Sequence, residues 1–415
     1  MGLRKRIGDI FYGYWILLGT FLLHGLASGM YFYGFSVFYT PLQREFGWGS
    51  AITSGAVSLS RLEGGIEGPV VGYLVDRYGA RRLLALGIFM TGLGFIAMVY
   101  VDSILMLYLV YGGLLSIGYN TGFSHAMTSM ITHWFKRRRS RAMGVYAIAA
   151  GIGGALIVPL LAKSITVSGW RMTAIYCGLT FWVVGLPFAF IFRNKPEDMG
   201  LLPDGDPHDP GPSQAGASEH TRPERDASVK GALKSPVFLK LLLAESFRSF
   251  LLGSLVLHQI PHLMSIGIDE EAAAAILGLM ILISIPGRIV FGTLGDFFSK
   301  RLLLTSVMLT QALGVLVFAY ASNIVHVYAF LVIYGLAYGG AIPLLMAFRG
   351  ELFGRERFAT ISGAMAPFKM IGNVVGPVFA GYVFDVTGTY RFAFLVFVLL
   401  AVLSGIFFYF VKGEF

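Results

Sequence analysis

The sequence predicts an all-α membrane protein of twelve transmembrane helices in two pseudo-symmetric six-helix bundles. Three observations carry that expectation: the composition, the number and length of the apolar runs, and a set of motifs that occurs twice. Of 415 residues 56% are hydrophobic and 13% are Asp, Glu, Lys or Arg, against about 25% charged in a soluble domain. A soluble fold of this make-up would leave large apolar patches facing water. The 53 glycines suit closely packed membrane helices. This balance excludes a disordered chain and an ordinary soluble enzyme, and a single cysteine, Cys177, excludes an intramolecular disulfide.

A helix needs about 20 apolar residues to cross a bilayer. On that ruler the helices fall near 14–39, 51–75, 83–101, 104–132, 142–163 and 171–192, then 237–265, 272–294, 302–321, 324–348, 358–384 and 391–411. The stretch between them is rich in Pro, Gly, Asp and Ser and reads as a polar, flexible linker. The expected organisation is a first bundle over 1–192, a cytoplasmic linker over 193–236 and a second bundle over 237–415. Lys and Arg collect on one side: Arg4, Lys5, Arg6, then Arg77, Arg81 and Arg82, then Lys136 to Arg139, the linker, Lys300, Arg301, Arg355, Arg357 and Lys412. The positive-inside rule places both termini in the cytoplasm. It also accounts for the net charge of +9 without a nucleic-acid partner. The first apolar run continues past Ala27, too long for a cleaved signal peptide.

The halves read as copies. Gly72-Tyr-Leu-Val-Asp76 matches Gly292-Thr-Leu-Gly-Asp296, and each is followed by a basic pair. Phe135, Arg137 and Pro159 find counterparts in Phe353, Arg355 and Pro377, and Trp170-Arg171 in Tyr390-Arg391. An even number of helices per half makes the repeat parallel.

Gly72-x-x-x-Asp76-Arg77-x-Gly79-x-Arg81-Arg82 resembles the loop signature of the major facilitator superfamily, which joins the second and third helices there. Gly72 is expected to allow close helix approach, Asp76 to accept at a neighbouring helix N-terminus, and Gly79 to allow a tight reversal. Asp76, Arg77, Arg81 and the repeat's Asp296 are the expected gating residues. Trp134-Phe135-Lys136-Arg137-Arg138-Arg139-Ser140-Arg141-Ala142-Met143-Gly144 resembles the start of the fifth helix in monocarboxylate transporters, and the chain is also similar to the oxalate/formate exchangers of that branch.

Charge inside the membrane is expensive and points to function. Arg288 lies eight residues before Asp296, about 12 Å inside the cytoplasmic end, and Lys369 lies twelve residues after Arg357, about 18 Å inside. Both depths fall near the midplane, where transporter substrate sites lie. Two central cations can neutralise a carboxylate, and Arg offers a two-pronged fit. Pro286-Gly287 is expected to loosen the helix beside Arg288. The resemblance implies an eighth-helix substrate arginine at Arg288 and, from the exchangers, an eleventh-helix lysine at Lys369. Many mammalian relatives carry an Asp one turn before that Arg; here Ser284 stands in its place.

Glu63 and Glu67 share a face of the second helix with Arg61 nearby. They either titrate with substrate or pair with Arg61 or Arg349. Glu245 and Arg248 are expected to pair with each other, and His258 is a further proton-coupling candidate. Tyr119, Asn120, Tyr334 and Tyr338 are expected to wall a site for a small organic anion. No spacing for a metal, cofactor or nucleotide site is present. The expectation is a monomeric secondary transporter of lactate- or pyruvate-like monocarboxylates with proton symport, in the bacterial inner membrane. The alternatives are dicarboxylate/monocarboxylate exchange, and a membrane sensor that transports nothing.

Overall fold

The computed structural model describes residues 11–136, 138–205, 235–353 and 358–411. Among these, ten continuous helical stretches are long and apolar enough to cross a membrane. One of them, Arg141–Ile191, contains two helices, because Gly169 at φ 78°, ψ 161° reverses the chain. That region of backbone space belongs to glycine. Ser50–Tyr78 falls outside the ten because Arg61, Glu63 and Glu67 interrupt its apolar run. Counting both gives twelve.

In chain order they are α1 (Tyr12–Phe46), α2 (Ser50–Tyr78), α3 (Ala80–Tyr100), α4 (Ile104–Trp134), α5 (139–168), α6 (170–191), α7 (Pro236–Ser265), α8 (Glu270–Phe297), α9 (Lys300–Ala319), α10 (Ile324–Phe353), α11 (Phe358–Thr387) and α12 (Arg391–Phe410). In the first bundle α1 packs on α5, and α3 on α4 and α6; in the second α7 packs on α11, α8 on α10, and α9 on α12. The bundles meet along α2–α11 and α5–α8. The internal repeat exchanges these two seams, as a parallel duplication requires.

Close approach of backbones depends on glycine. A methyl group at Gly153 would overlap the Gly25 carbonyl, which sets the α1–α5 distance, and one at Gly339 would overlap the Ser284 carbonyl, which sets α8–α10. Gly287 faces the Leu336 carbonyl in the same crossing. The Pro286-Gly287 step therefore does not break α8, which runs unbroken from Glu270 to Phe297; its glycine serves helix contact instead. Conversely, a methyl group at Gly72 would meet nothing within 4 Å, so the close approach expected there is not made.

The turns α2–α3, α4–α5 and α8–α9 lie on one side of the molecule, with Arg77, Arg81, Lys136 and Lys300; we call this the basic face. Residues 193–205, expected to belong to the loose linker, are docked on the first bundle beside it. Asp204 accepts from the backbone N–H groups of Lys136 (3.0 Å) and Arg138 (3.1 Å), and Asn194 from that of Arg81 (2.8 Å). The rest of the linker, together with Arg4, Lys5, Arg6, Arg137, Arg355, Arg357 and Lys412, lies outside the described residues.

On the opposite face the bundles are tied together. The Asp385 carboxylate at the end of α11 accepts from the N–H groups of Ser50 (2.7 Å) and Ala51 (2.9 Å), the first residues of α2. Arg44 pairs with Glu270 at 3.3 Å, Thr40 contacts the Met264 sulfur at 3.7 Å, and Ser58 donates to the Val374 carbonyl at 2.6 Å. Between described residues, no hydrogen bond or ion pair joins the bundles closer to the basic face than that of Arg288 to Ala147.

Candidate functional site

A cavity of about 490 Å3 lies between the bundles at middle depth. Tyr31 and Phe32 of α1, Arg61 of α2, Tyr111 of α4, Tyr338 of α10 and Asn373 of α11 form its wall. Tyr119 and Asn120, expected from the sequence, line it as well, with Ser124 and His125 extending the wall along α4 towards the basic face.

Irregular helix geometry puts several of these groups there. Tyr31 lies in a π-helical turn, Ser28–Tyr33, inside α1. Tyr111 and Asn120 lie in two more, Tyr108–Leu115 and Asn120–Ala126, inside α4. A π turn shifts the face that a helix presents and recurs at functional sites. The rings form a continuous layer: Tyr31 stacks on Tyr111 at 5.1 Å and lies 4.6 Å from Tyr119. Two of the hydroxyls are engaged within the protein, Tyr111 donating to the Tyr31 carbonyl at 3.3 Å and Tyr119 bonding Ser28 at 3.3 Å. These residues therefore offer ring surface more than hydrogen bonds.

Arg288, the expected substrate ligand, is not among the residues that line this cavity; it lies at the α5–α8 seam. One terminal nitrogen donates to the Ala147 carbonyl at 2.7 Å, while Nε is buried without a partner. The hydroxyl of Tyr33 on α1 lies 3.5 Å from that of the cavity residue Tyr338. Tyr334 is fully buried, stacks behind Tyr338 at 5.8 Å and does not line the cavity; its hydroxyl has no partner.

Lys369 belongs to a different constellation. Its Nζ lies 3.6 Å from the buried Glu245 carboxylate, which also accepts both prongs of Arg349, the Nε one at 2.6 Å. Glu245 thus ties α7, α10 and α11 together. This corrects two expectations. Glu245 pairs with Arg349 rather than with Arg248, whose Nε is buried and unpartnered. Arg349 in turn is not the partner of Glu63 or Glu67.

Those two carboxyls stand one helical turn apart on α2. Glu63 accepts from Ser116 at 2.5 Å and Asn120 at 3.4 Å, both on α4, and Glu67 Oε1 is buried without a partner. Among the described residues neither forms an ion pair with Arg61. His258 is fully buried at the tied face, where Nε2 donates to the Pro377 carbonyl at 2.9 Å and Nδ1 lies 3.3 Å from the Tyr390 hydroxyl.

Of the expected gating residues, Asp76 is exposed and accepts no hydrogen bond among the described residues. The helix N-terminus contact expected of it is made instead by Asp385, on the other face. Arg77 bonds the Tyr73 hydroxyl of its own helix at 2.9 Å. Arg81 donates to the Ala189 (2.8 Å) and Phe190 (3.1 Å) carbonyls at the end of α6, where a cation complements the helix dipole. Gly79 makes the expected reversal at φ 86°. The Asp296 side chain lies outside the described residues. No cluster among the described residues has the His, Cys, Asp and Glu needed to hold a metal.

A family model described as Major Facilitator Superfamily matches residues 17–372, and again 249–414. The chain belongs to the major facilitator superfamily. This superfamily member is 25% identical over 401 residues to monocarboxylate transporter 13 of Bos taurus, a match covering 95% of this chain and 88% of that one. It is 26% identical to monocarboxylate transporter 3 of Rattus norvegicus, covering 95% and 78%. It is 23% identical to an uncharacterised MFS-type transporter, YcxA, of Bacillus subtilis, covering 95% and 93%. Among solved structures, a bacterial homologue of the human lysosomal transporter Spinster, inward-facing and occupied, superposes with a TM-score of 0.77 at 16% identity, over 96% of this chain and 97% of that one. The protein is an integral membrane transporter and not an enzyme.

Proposed function

We propose that this transporter moves small monocarboxylates by proton symport, with Arg288 as a ligand of the substrate carboxylate. One observation carries the reading. A guanidinium at the seam between the bundles has no carboxylate partner of its own among the described residues. A buried cation without a counter-ion is costly, and an anionic substrate supplies one. The similarity to monocarboxylate transporters supports the choice of anion. The expected pairing of Arg288 with Lys369, which suggested dicarboxylate exchange, is replaced by a contact of Lys369 with Glu245.

The two bundles rock about the cavity, exposing it to either side in turn. The ties at one face make this the state open towards the basic face, which the positive-inside rule assigns to the cytoplasm of a bacterial inner membrane. The Glu63–Glu67 pair is the proton carrier we favour. It adjoins the cavity residue Asn120 and lacks a cation, whereas both His258 nitrogens have partners within the protein. The test is uptake of labelled lactate by proteoliposomes. An inwardly directed proton gradient should drive accumulation, and collapsing it should leave only counterflow. No uptake of any monocarboxylate under either condition overturns the reading.

A further inference from the structure

Arg61 is the charged side chain among the described residues that line the cavity, and it forms no ion pair with another described residue. Its neighbour Glu63 faces α4, where Ser116 and Asn120 hold it. Arg61 instead reaches across the seam to α7. A methyl group at Gly253 would overlap its Nη1, so the absence of a side chain there makes room for the guanidinium. Its Cζ lies 5.9 Å from the centre of the Phe32 ring, a half-exposed ring in the same wall.

We infer that Arg61 is the first bundle's carboxylate ligand, and that the cavity it lines takes a monocarboxylate with a ring-sized apolar body. The first part follows from charge: a cation inside the membrane, pointed at an open cavity and lacking a protein carboxylate, needs an anion that arrives with the substrate. The second follows from the wall. One charged residue in it matches one carboxylate. The Tyr31, Tyr111, Tyr119 and Phe32 rings present apolar surface, because the Tyr111 and Tyr119 hydroxyls are already engaged. A space of about 490 Å3 is in the range that encloses drug-sized ligands, roughly 300–1,000 Å3, and a three-carbon acid would leave most of it to water.

This inference rests on the monocarboxylate reading, and the test separates the two. Binding of benzoate, its neutral isostere benzamide, and lactate is measured by calorimetry on the purified full chain. Benzoate is expected to bind more tightly than lactate, and Arg61→Gln to weaken benzoate about ten- to a hundredfold while changing benzamide little. Gly253→Ala keeps the charge but displaces the guanidinium, and is expected to weaken benzoate selectively too; it decides the matter if Arg61→Gln does not fold. Wild-type affinity for benzoate in both variants overturns the role of Arg61. If Arg288→Gln still loses lactate in that case, the monocarboxylate reading survives alone. A wild-type protein that binds neither acid overturns both.

Discussion

A single guanidinium decides whether the site recognises charge or shape. Hydrogen bonds to an ionised group contribute about 1.5–3 kcal/mol. Arg288→Gln should therefore weaken lactate binding roughly ten- to a hundredfold. Arg288→Lys should rescue it only in part, since an ammonium lacks the planar fork. Lactamide is the control: its penalty relative to lactate should shrink in the mutant, and an unchanged penalty would remove Arg288 from the carboxylate. A second expectation concerns the α2 carboxyls. Glu63→Gln and Glu67→Gln should abolish proton-driven accumulation yet leave counterflow, because exchange needs no net proton movement. Loss of both activities together would instead mark the pair as structural. The depth of Arg288 could be counted along the sequence, because helical rise is fixed. Partners across helices could not. Arg248 stands three residues from Glu245, yet the buried carboxylate bonds Arg349 of another helix. Arg61 looked like a partner for Glu63 until its rotation about α2 was known.

Helix existence was legible at this scale and helix ends were not. The run expected at 14–39 extends to Phe46, because Gln43, Arg44 and Glu45 continue α1 beyond its apolar stretch. The π turns left no mark in periodicity, though they place Tyr31, Tyr111 and Asn120. Asp385 shows what an element end can do. It caps the first turn of α2 from the other bundle, where a negative charge is stabilised by the exposed N–H groups. A carboxylate at a helix N-terminus contributes about 1 kcal/mol. Asp385→Asn should therefore shift the balance between the two open states about fivefold towards the face now tied. Cys177, the native cysteine, is buried; with it replaced by Ser, Ser54→Cys reports on that face. A membrane-impermeant thiol reagent should label it several-fold faster when Asp385→Asn is present. Equal rates would mean that the cap carries no weight in the equilibrium.

For the whole molecule, the duplication was the most legible feature and the conformation the least. Matched motifs in the two halves imply two seams exchanged by the repeat, and α2–α11 and α5–α8 are those seams. Nothing in the sequence says which side is closed, since one sequence must support every state of the cycle. The structure has its inter-bundle ties on the face of Asp385, Arg44–Glu270 and Thr40–Met264. If alternating access governs transport, these contacts must part once in each cycle, whereas the cavity stays reachable from the basic face while they hold. Thr40→Cys with Met264→Cys, joined by a short bifunctional thiol reagent, should therefore abolish uptake while leaving carboxylate affinity in detergent within about twofold of the uncrosslinked protein, because the contacts that set affinity lie at the cavity and not at the tie. Reduction of a cleavable linker should restore uptake, which rules out damage from the substitutions. Uptake that continues through the crosslinked protein would mean that the substrate does not leave by way of this face, and the rocking of the two bundles would have to be replaced by movement of helices on one side alone.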